Sequence, residues 1–380
     1  MDADALKSNK EIIDSVELVL QAIYESASDF NRALDGDSPI NIPSLRNKSD
    51  YQIEASEILF WTDRDAYNDE LASWQPKRNI ENHAAAIAQI KANDLVPVVH
   101  ELAGAIRKNR VAPFIGAGIS QPCNYPGWGA ALEVISQKIA GLDMAAFRAK
   151  MDAYDYLGAA QVLWDKDDAQ VRSFIHTKFS DGTIPPGGIQ GPIKLVPRFS
   201  RGCIITTNFD HLIERSFEPV KFDGYMHGKQ AGNNFVSRLL KGDRCILKLH
   251  GDADNNQTYV FTETQYKESY GDPLDFSKPL PKALRQIFIS HSLLFLGCSM
   301  EQDRTLDLFK KICDEQQFDI PDHFAVMPLP KDPAAKKAKE SRLLRMGIRT
   351  LWYPPDNNHE LVEKYLALAV EVAEGRITAF

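Results

Sequence analysis

The sequence predicts an α/β protein with a mostly parallel β-sheet, preceded by a helical region over residues 1–105. From Val111 onward, short apolar runs of strand character alternate with helical patterns. Such alternation is typical of crossover units, in which helices cover both faces of a parallel sheet. Before residue 106, apolar residues instead recur at the spacing of an amphipathic helix. We therefore expect a helical region, 1–105, followed by an α/β domain, 106–380.

The N-terminal region is predicted to contain three helical segments. Apolar residues from Ile12 to Tyr24 form the first stripe, and a turn-rich break follows at 35–39. A second helical region covers 51–74, and a third runs from 80 to 106. Pro97 lies within the third region, where it is expected to start a new helix or to kink the existing one.

The α/β domain is predicted from its alternating runs. The strand candidates are 111–116, 202–207, 244–249, 258–262, 293–297, 323–328 and 348–353. The helical patterns fill 129–140, 155–165, 168–179, 210–217, 282–290, 303–315, 334–346 and 358–374. Ligands of such folds bind at the carboxyl ends of the strands. The Gly- and Pro-rich segment 181–193 is predicted to be a loop over that site.

Composition narrows the class of protein. The chain has 380 residues, 44% of them hydrophobic, and a formal net charge of −8. This charge argues against direct nucleic-acid binding by the chain alone, which requires a basic face. Its five cysteines form no C-x-x-C pair, so we expect neither a disulfide framework nor a zinc or other metal site. The N-terminus lacks the apolar core of a signal peptide, no apolar run could span a bilayer, and we expect a cytoplasmic protein without membrane contact.

The first candidate motif follows the apolar run that begins at Val111. It reads Gly116-Ala117-Gly118-Ile119-Ser120. Glycines allow a backbone to approach an anion closely, so the motif suits a diphosphate-binding turn, with Ser120 as a hydrogen-bond donor. The alternative is a tight turn that binds no ligand. The third glycine of G-x-G-x-x-G and the acidic residue that should follow are absent, which disfavours a hydride-transferring dehydrogenase.

The second motif, Thr206-Thr207-Asn208-Phe209-Asp210, follows the next strand candidate. An amide at a strand's carboxyl end could hold a ribose hydroxyl or a water molecule, and Asn208 is placed to do so. The alternative for Asn208 is a side chain that stabilises the turn. Asp210 suits the N-cap of the helix that follows, and we prefer that interpretation.

The third and fourth motifs repeat this arrangement. Lys248-Leu249-His250-Gly251-Asp252 places a histidine at a strand end, where it could exchange protons near neutral pH. Asp252 could orient His250 or cap a turn. Gly297-Cys298-Ser299 could contact phosphate or ribose through Gly297 and Ser299, or could form a turn only. The basic clusters at 331–339 and 342–349 have helical spacing and are predicted to form a solvated face.

Taken in order, the four motifs resemble the sirtuin superfamily, and the similarity covers about residues 105–375. The resemblance implies a Rossmann-type, sirtuin-like catalytic domain over 106–380 with an NAD+ site. It implies Asn208 and His250 as the catalytic pair, Asn208 holding the attacking water or the nicotinamide ribose. The expected cofactor-binding residues are Gly116, Ala117, Gly118, Ser120, Thr207, Asp210, Gly297 and Ser299.

Two departures separate the chain from the deacetylase sirtuins. It lacks their four paired zinc-binding cysteines, and Gln121-Pro122-Cys123-Asn124 replaces their Asp-Phe-Arg segment. Both departures fit the bacterial antiphage-defence branch, whose members hydrolyse NAD+ to nicotinamide and ADP-ribose. The resemblance therefore implies an NAD+ hydrolase that depletes NAD+ in abortive infection, as a homo-oligomer and in complex with a HerA-type ATPase.

Two other functions stay open at this point. One is a binding module that senses NAD+ or ADP-ribose and gates a partner protein. The other is a nuclease subunit, which the acidic composition and the lack of a carboxylate cluster in the sequence disfavour. Release of nicotinamide from NAD+ by the protein, or by its activated complex, separates the enzyme from both.

Overall fold

The computed structural model describes residues 3–43, 50–180, 188–228, 235–301, 304–315, 317, 319–355 and 359–380. Contacts divide the chain into two compact units, Met1–Ala84 with Arg376–Phe380, and Ala85–Gly375. In the smaller unit the elements are α1 (Ala3–Ser26), α2 (Ser28–Asp35), β1 (Ile40–Ile42), β2 (Tyr51–Ile53), α3 (Ala55–Thr62) and α4 (Arg64–Asn82).

The smaller unit is mainly helical, as predicted, and it has a small aromatic core. Phe30, Phe60 and Tyr67 are buried there and pack edge to face, with ring centroids 5.0 to 5.2 Å apart. The prediction of helix from residue 51 is wrong for β2, which pairs antiparallel with β1. Both strands consist largely of β-branched and aromatic residues, whose preference for extended backbone outweighs the helical spacing there.

The larger unit contains seven strands among its helices. Its strands are β3 (Val111–Ile115), β4 (Cys203–Thr206), β5 (Gly224–His227), β6 (Cys245–Lys248), β7 (Ser292–Leu296), β8 (His323–Pro328) and β9 (Ile348–Tyr353). Its helices are α5 (Ala84–Ala92), α6 (Val96–Arg107), α7 (Trp128–Ser136), α8 (Met144–Asp152), α9 (Tyr156–Phe179), α10 (Val196–Phe199), α11 (Leu212–Ser216), α12 (Phe235–Lys241), α13 (Glu263–Tyr270), α14 (Pro279–Ser290), α15 (Arg304–Asp314), α16 (Pro333–Leu344) and α17 (Glu360–Ala373).

The seven strands form one parallel sheet in the order β5-β6-β4-β3-β7-β8-β9. Apart from the edge strand β5, the chain moves outward from β3 to β4 and β6, then returns to β7 and continues to β8 and β9. This is the strand order of a Rossmann fold, which confirms the predicted fold class. The order reverses at β3, so the carboxyl ends of β3 and its neighbours are where such a fold binds ligands.

The central strands are apolar and buried throughout. Every residue of β3, β4, β6 and β7 is buried, because helices cover both faces of the sheet. Lys248, at the end of β6, is the one charged residue of these four strands, and its side chain lies inside the protein. No helix in the described part of the chain combines the length and the apolar character needed to cross a membrane.

Several details differ from the sequence prediction. The run 258–262 is not a strand. It passes beside His250, and the Val260 N–H donates to the backbone oxygen of His250 at 3.0 Å. Its last residue, Thr262, then caps α13. The edge strand β5 and helices α8, α10, α12 and α13 were not predicted. The compact units divide at Ala84 rather than after residue 105. Residues 181–187 of the predicted loop lie outside the described residues.

Helix α6 illustrates why the unit boundary lies earlier in the chain. Pro97 lies in the first turn of this helix, which agrees with the predicted alternative that Pro97 starts a new helix. Near its end, Arg107 donates to the backbone oxygens of Val372 and Ala373 in α17, each at 3.0 Å. These bonds attach the helix to the last element of the α/β unit.

Candidate functional site

Two glycine turns meet at the centre of the sheet's carboxyl edge. The Gly116 N–H donates to Leu296 O at 2.8 Å, and the Gly118 N–H donates to Gly297 O at 3.0 Å. A Cβ on Gly116 would lie 2.6 Å from Gly297 O, and one on Gly297 would lie 2.4 Å from Ile119 N. The glycines are therefore required for the two turns to touch. Because these two N–H groups are already bonded within the protein, a ligand would contact Gly116 or Gly118 through other atoms.

Ser120, Asn208 and Asp210 form a hydrogen-bonded cluster between the turns after β3 and β4. The Asn208 amide Nδ2 donates to Gly116 O at 3.2 Å and to Ser120 Oγ at 2.9 Å. Ser120 Oγ in turn donates to Asp210 Oδ2 at 2.9 Å. A backbone oxygen only accepts, so Gly116 O fixes which end of the amide faces it. Asn208 Oδ1, turned the other way, is buried and has no hydrogen-bond partner among the described residues.

The two carboxylate oxygens of Asp210 bond to different groups, one at the start of α11 and one in the cluster. Its Oδ1 accepts from the N–H of Leu212, the first residue of α11, at 3.1 Å. The N-cap of that helix is His211, so Asp210, which was predicted to be the N-cap, lies one residue before it. Its other oxygen is held by Ser120. Burial raises the pKa of this carboxyl, and the bond from the Leu212 N–H opposes that rise. Thr207 continues β4 by donating its N–H to Ile115 O at 3.0 Å.

The structure brings Asn208 and His250 to the same edge of the sheet. Thr206 on β4 is paired with Lys248 on the neighbouring strand β6. Asn208 lies two residues after Thr206, and His250 lies two residues after Lys248. The Leu249 N–H donates to Thr206 O at 2.8 Å. Asn208 is 7% exposed and His250 is 8% exposed, so both lie just below the surface of this edge.

Aromatic rings surround the imidazole of His250. Trp128 stacks on it with ring centroids 5.2 Å apart, and Phe209 lies at 6.1 Å. The hydroxyl of Tyr266 hydrogen-bonds to Nε2 of His250. Burial in these surroundings lowers the pKa of His250 to about 4, although the backbone of Thr207 opposes the shift. The ring is therefore uncharged at neutral pH, the form in which one of its two nitrogens can accept a proton.

We expect the imidazole of His250 to keep its neutral NMR signal down to about pH 5, because burial disfavours its charged form. Histidine-selective ¹³C labelling measures this, and the signal is assigned by its loss in the His250→Gln variant. A midpoint near pH 6.5, the value of an exposed histidine, would contradict the environment described for this ring.

Basic residues on α16 contact the turn after β7. Lys339 Nζ donates to Ser299 O at 2.7 Å, and Arg342 donates to the backbone oxygens of Met300 and Glu301. The prediction of a purely solvated basic face is therefore wrong for these two residues. They hold the backbone of the turn that carries Gly297 and Ser299, and the side chain of Ser299 is exposed.

Sequence reasoning missed several residues of this site. Asp252 does not contact His250; its carboxylate instead contacts His211 Nε2 and Lys248 Nζ, each at 2.9 Å. Tyr266 contacts His250 in its place. The one signal for this arrangement was a lysine inside the apolar run Cys245-Ile-Leu-Lys-Leu249, since lysine is rarely buried without a partner.

The fold is a Rossmann-type α/β domain, and the polar and glycine-rich turns described above lie where its strand order reverses. Residues 202–351 match the family model described as a SIR2-like domain. The chain is 28% identical over 215 residues to NAD(+) hydrolase ThsA of Acinetobacter baumannii (strain 532279), which covers 55% of this chain and 40% of that protein. It is 21% identical over 298 residues to Defense-associated sirtuin 2 of Bacillus subtilis, covering 76% of this chain and 28% of that protein.

A second NAD(+) hydrolase ThsA, from Cytobacillus dafuensis, is 25% identical over 210 residues, or 55% of this chain and 39% of that protein. The chain thus spans 40% or less of the length of these relatives. Residues 202–351, which contain the second, third and fourth motifs, are thus similar to a SIR2-like domain.

Proposed function

We propose that this protein hydrolyses NAD+ to nicotinamide and ADP-ribose. The observation that supports the proposal is that Asn208 and His250 each follow, by two residues, the paired ends of the neighbouring strands β4 and β6. An amide oxygen without a partner and an uncharged imidazole are suited to hold a water molecule or a ribose hydroxyl and to accept its proton. The names of the ThsA relatives support the choice of NAD+ as substrate.

In the proposed reaction, the bond between the ribose C1′ and the nicotinamide nitrogen breaks. Its electron pair goes to the nicotinamide ring, which leaves uncharged, and the ribose gains oxocarbenium character. Water held by Asn208 Oδ1 attacks C1′, and its proton passes to His250, directly or through a ribose hydroxyl. The two glycine turns, with Thr207 and Ser299 nearby, hold the diphosphate and ribose so that C1′ stays in place, while Ser120 and Asp210 fix the Asn208 amide.

Incubation of the protein with NAD+, alone and with its genomic neighbour, tests this proposal. We expect equal amounts of nicotinamide and ADP-ribose, detected by chromatography. Tight binding of NAD+ or ADP-ribose with no turnover under either condition would favour the sensing module instead. Cleavage of added DNA or RNA without loss of NAD+ would favour the nuclease subunit.

The proposal includes a role in antiphage defence by NAD+ depletion, in the cytoplasm and together with a HerA-type ATPase. A relative named Defense-associated sirtuin 2 supports the defence role. The five cysteines are free, which suits a reducing compartment. The pairing with a HerA-type ATPase rests on the resemblance of the motifs, and co-purification of the two tagged proteins from one operon tests it.

We also propose that the protein is a homo-oligomer, and an exposed apolar seam on α1 supports this. Four residues, each at least half exposed, recur at spacings of four, three and four: Ile12, Val16, Val19 and Ile23. This is the spacing of a coiled-coil seam. Ser15 and Ala22, which flank it, are small and uncharged. Two copies of α1 could therefore approach along this seam without repulsion between like charges.

We expect the double substitution Val16→Asp/Val19→Asp to lower the molar mass of the protein in solution, because it places charges inside the seam. Light scattering coupled to gel filtration measures the mass. Leu18→Asp is the matched control, since Leu18 is 73% exposed on a different side of α1. A monomeric native protein, or an unchanged mass in the double variant, would contradict pairing through α1.

A further inference from the structure

A buried lysine joins the two loops that carry the candidate catalytic pair. Lys248 is fully buried, and its ammonium group lies 2.9 Å from both Asp252 Oδ2 and Glu214 Oε1. It also donates to the backbone oxygen of Asp210 at 2.9 Å. Asp210 belongs to the loop after β4, Asp252 to the loop after β6, and Glu214 to α11. One cation thus links all three segments.

His211 adds a second bond between the same segments. Its Nε2 contacts the two carboxylate oxygens of Asp252 at 3.0 and 2.9 Å. Burial lowers the pKa of His211, but the hydrogen bond with Asp252 raises it, and the net shift is upward. When His211 is protonated, it balances the charges of Asp252 and Glu214 together with Lys248. We call these four residues the Lys248 cluster.

The cluster also resembles a metal site in part. Ligand atoms of His211, Glu214 and Asp252 lie within 4.8 Å of one another. The ammonium of Lys248, however, lies 2.9 Å from both carboxylates and already supplies a positive charge there. The cluster is therefore balanced by the protein's own groups, and its geometry suits the joining of two loops.

We propose that the Lys248 cluster is a positioning device, which holds the loop of Asn208 (207–211) and the loop of His250 (249–254) at a fixed separation. The inference rests on the proposed function in one respect, since it treats these two residues as the reacting pair. Buried charges are costly to leave unpaired, so the two loops cannot separate without breaking contacts that each charge requires. Lys248 and Asp252 thus act through Asn208 and His250 rather than on the substrate.

Hydrogen–deuterium exchange of the full-length protein tests the positioning directly. In Asp252→Asn we expect faster exchange in the peptides covering 207–211 and 249–254 together, with no change in 323–353. Asp254→Asn is the matched control, because Asp254 is on the same loop and has a side chain that is 46% exposed and reaches the cluster only at His211, 4.0 Å away. Faster exchange confined to the substituted loop would overturn the proposal. Glu214→Gln, which keeps the Lys248–Asp252 pair, gives the same test with a milder change.

Kinetics separates this inference from the proposed function. If the native protein hydrolyses NAD+, Asp252→Asn should lower kcat on the order of 100-fold, because catalysis depends steeply on alignment, with little change in KM. A raised KM with an unchanged kcat would overturn the inference. If the native protein and its complex leave NAD+ intact, the proposed function fails, and the exchange experiment still decides whether the cluster joins the two loops.

Discussion

Asn208→Ala and His250→Ala are each expected to slow nicotinamide release from NAD+ on the order of 100-fold or more, the range typical of a lost oriented polar group or a lost general base. The Asn208 change removes a buried amide oxygen with no partner among the described residues, and the His250 change removes a proton acceptor that is uncharged at neutral pH. A continuous assay of nicotinamide, with the melting temperature of each variant, measures the effect.

His291→Ala is the matched control for both variants. His291 lies at the amino end of β7, on the edge of the sheet opposite the candidate site, and it also has a ring in partly buried surroundings. We expect its activity to equal that of the native protein. Near-native rates in a folded Asn208→Ala or His250→Ala variant would remove that residue from the proposed mechanism.

Gly297→Ala is expected to cause a large loss of stability. Gly297 has a φ of +66°, and an added Cβ would lie 2.4 Å from the backbone nitrogen of Ile119. The backbone strain costs about 1–3 kcal/mol, and forcing the two turns apart adds about 1–3 kcal/mol. Urea unfolding followed by circular dichroism measures the change in the free energy of unfolding.

Gly242→Ala separates these two contributions. Gly242 has a similar φ of +80°, but an added Cβ would meet nothing within 4 Å. We expect it to show the backbone strain alone and to keep the glycine turns intact. Equal losses of stability in the two variants would show that the contact between the turns after β3 and β7 is unimportant.

The sequence predicted those parts of the fold that depend on local pattern. The strands β3, β4, β6, β7, β8 and β9 are short apolar runs bounded by polar or turn residues, and each was predicted within a residue or two. The edge strand β5 was not predicted because Gly224–His227 begins with glycine and ends with histidine, so it is not the apolar run that marks β4 and β6, which have the same length. The run 258–262 has the composition of a strand, but it packs beside His250 and lies outside the sheet.

The candidate site was predictable only where its residues follow strands. Asn208 and His250 stand directly after β4 and β6, and a parallel sheet brings such positions to one edge. Tyr266 and Trp128 are distant in sequence from His250, and their contacts with it depend on how α13 and α7 pack. For the same reason, the sequence could not show that Asp252 pairs with Lys248 and His211 rather than with His250.

A crystal structure of the native protein with ADP-ribose bound tests the central claim most directly. The claim is that one dinucleotide lies across the carboxyl ends of β3, β4, β6 and β7. We predict the diphosphate beside the glycine turns and the ribose C1′ between Asn208 Oδ1 and the imidazole of His250, with a hydroxyl or water within hydrogen-bond distance of each. A nucleotide bound elsewhere on the protein, or one whose C1′ lies far from both side chains, would contradict the account.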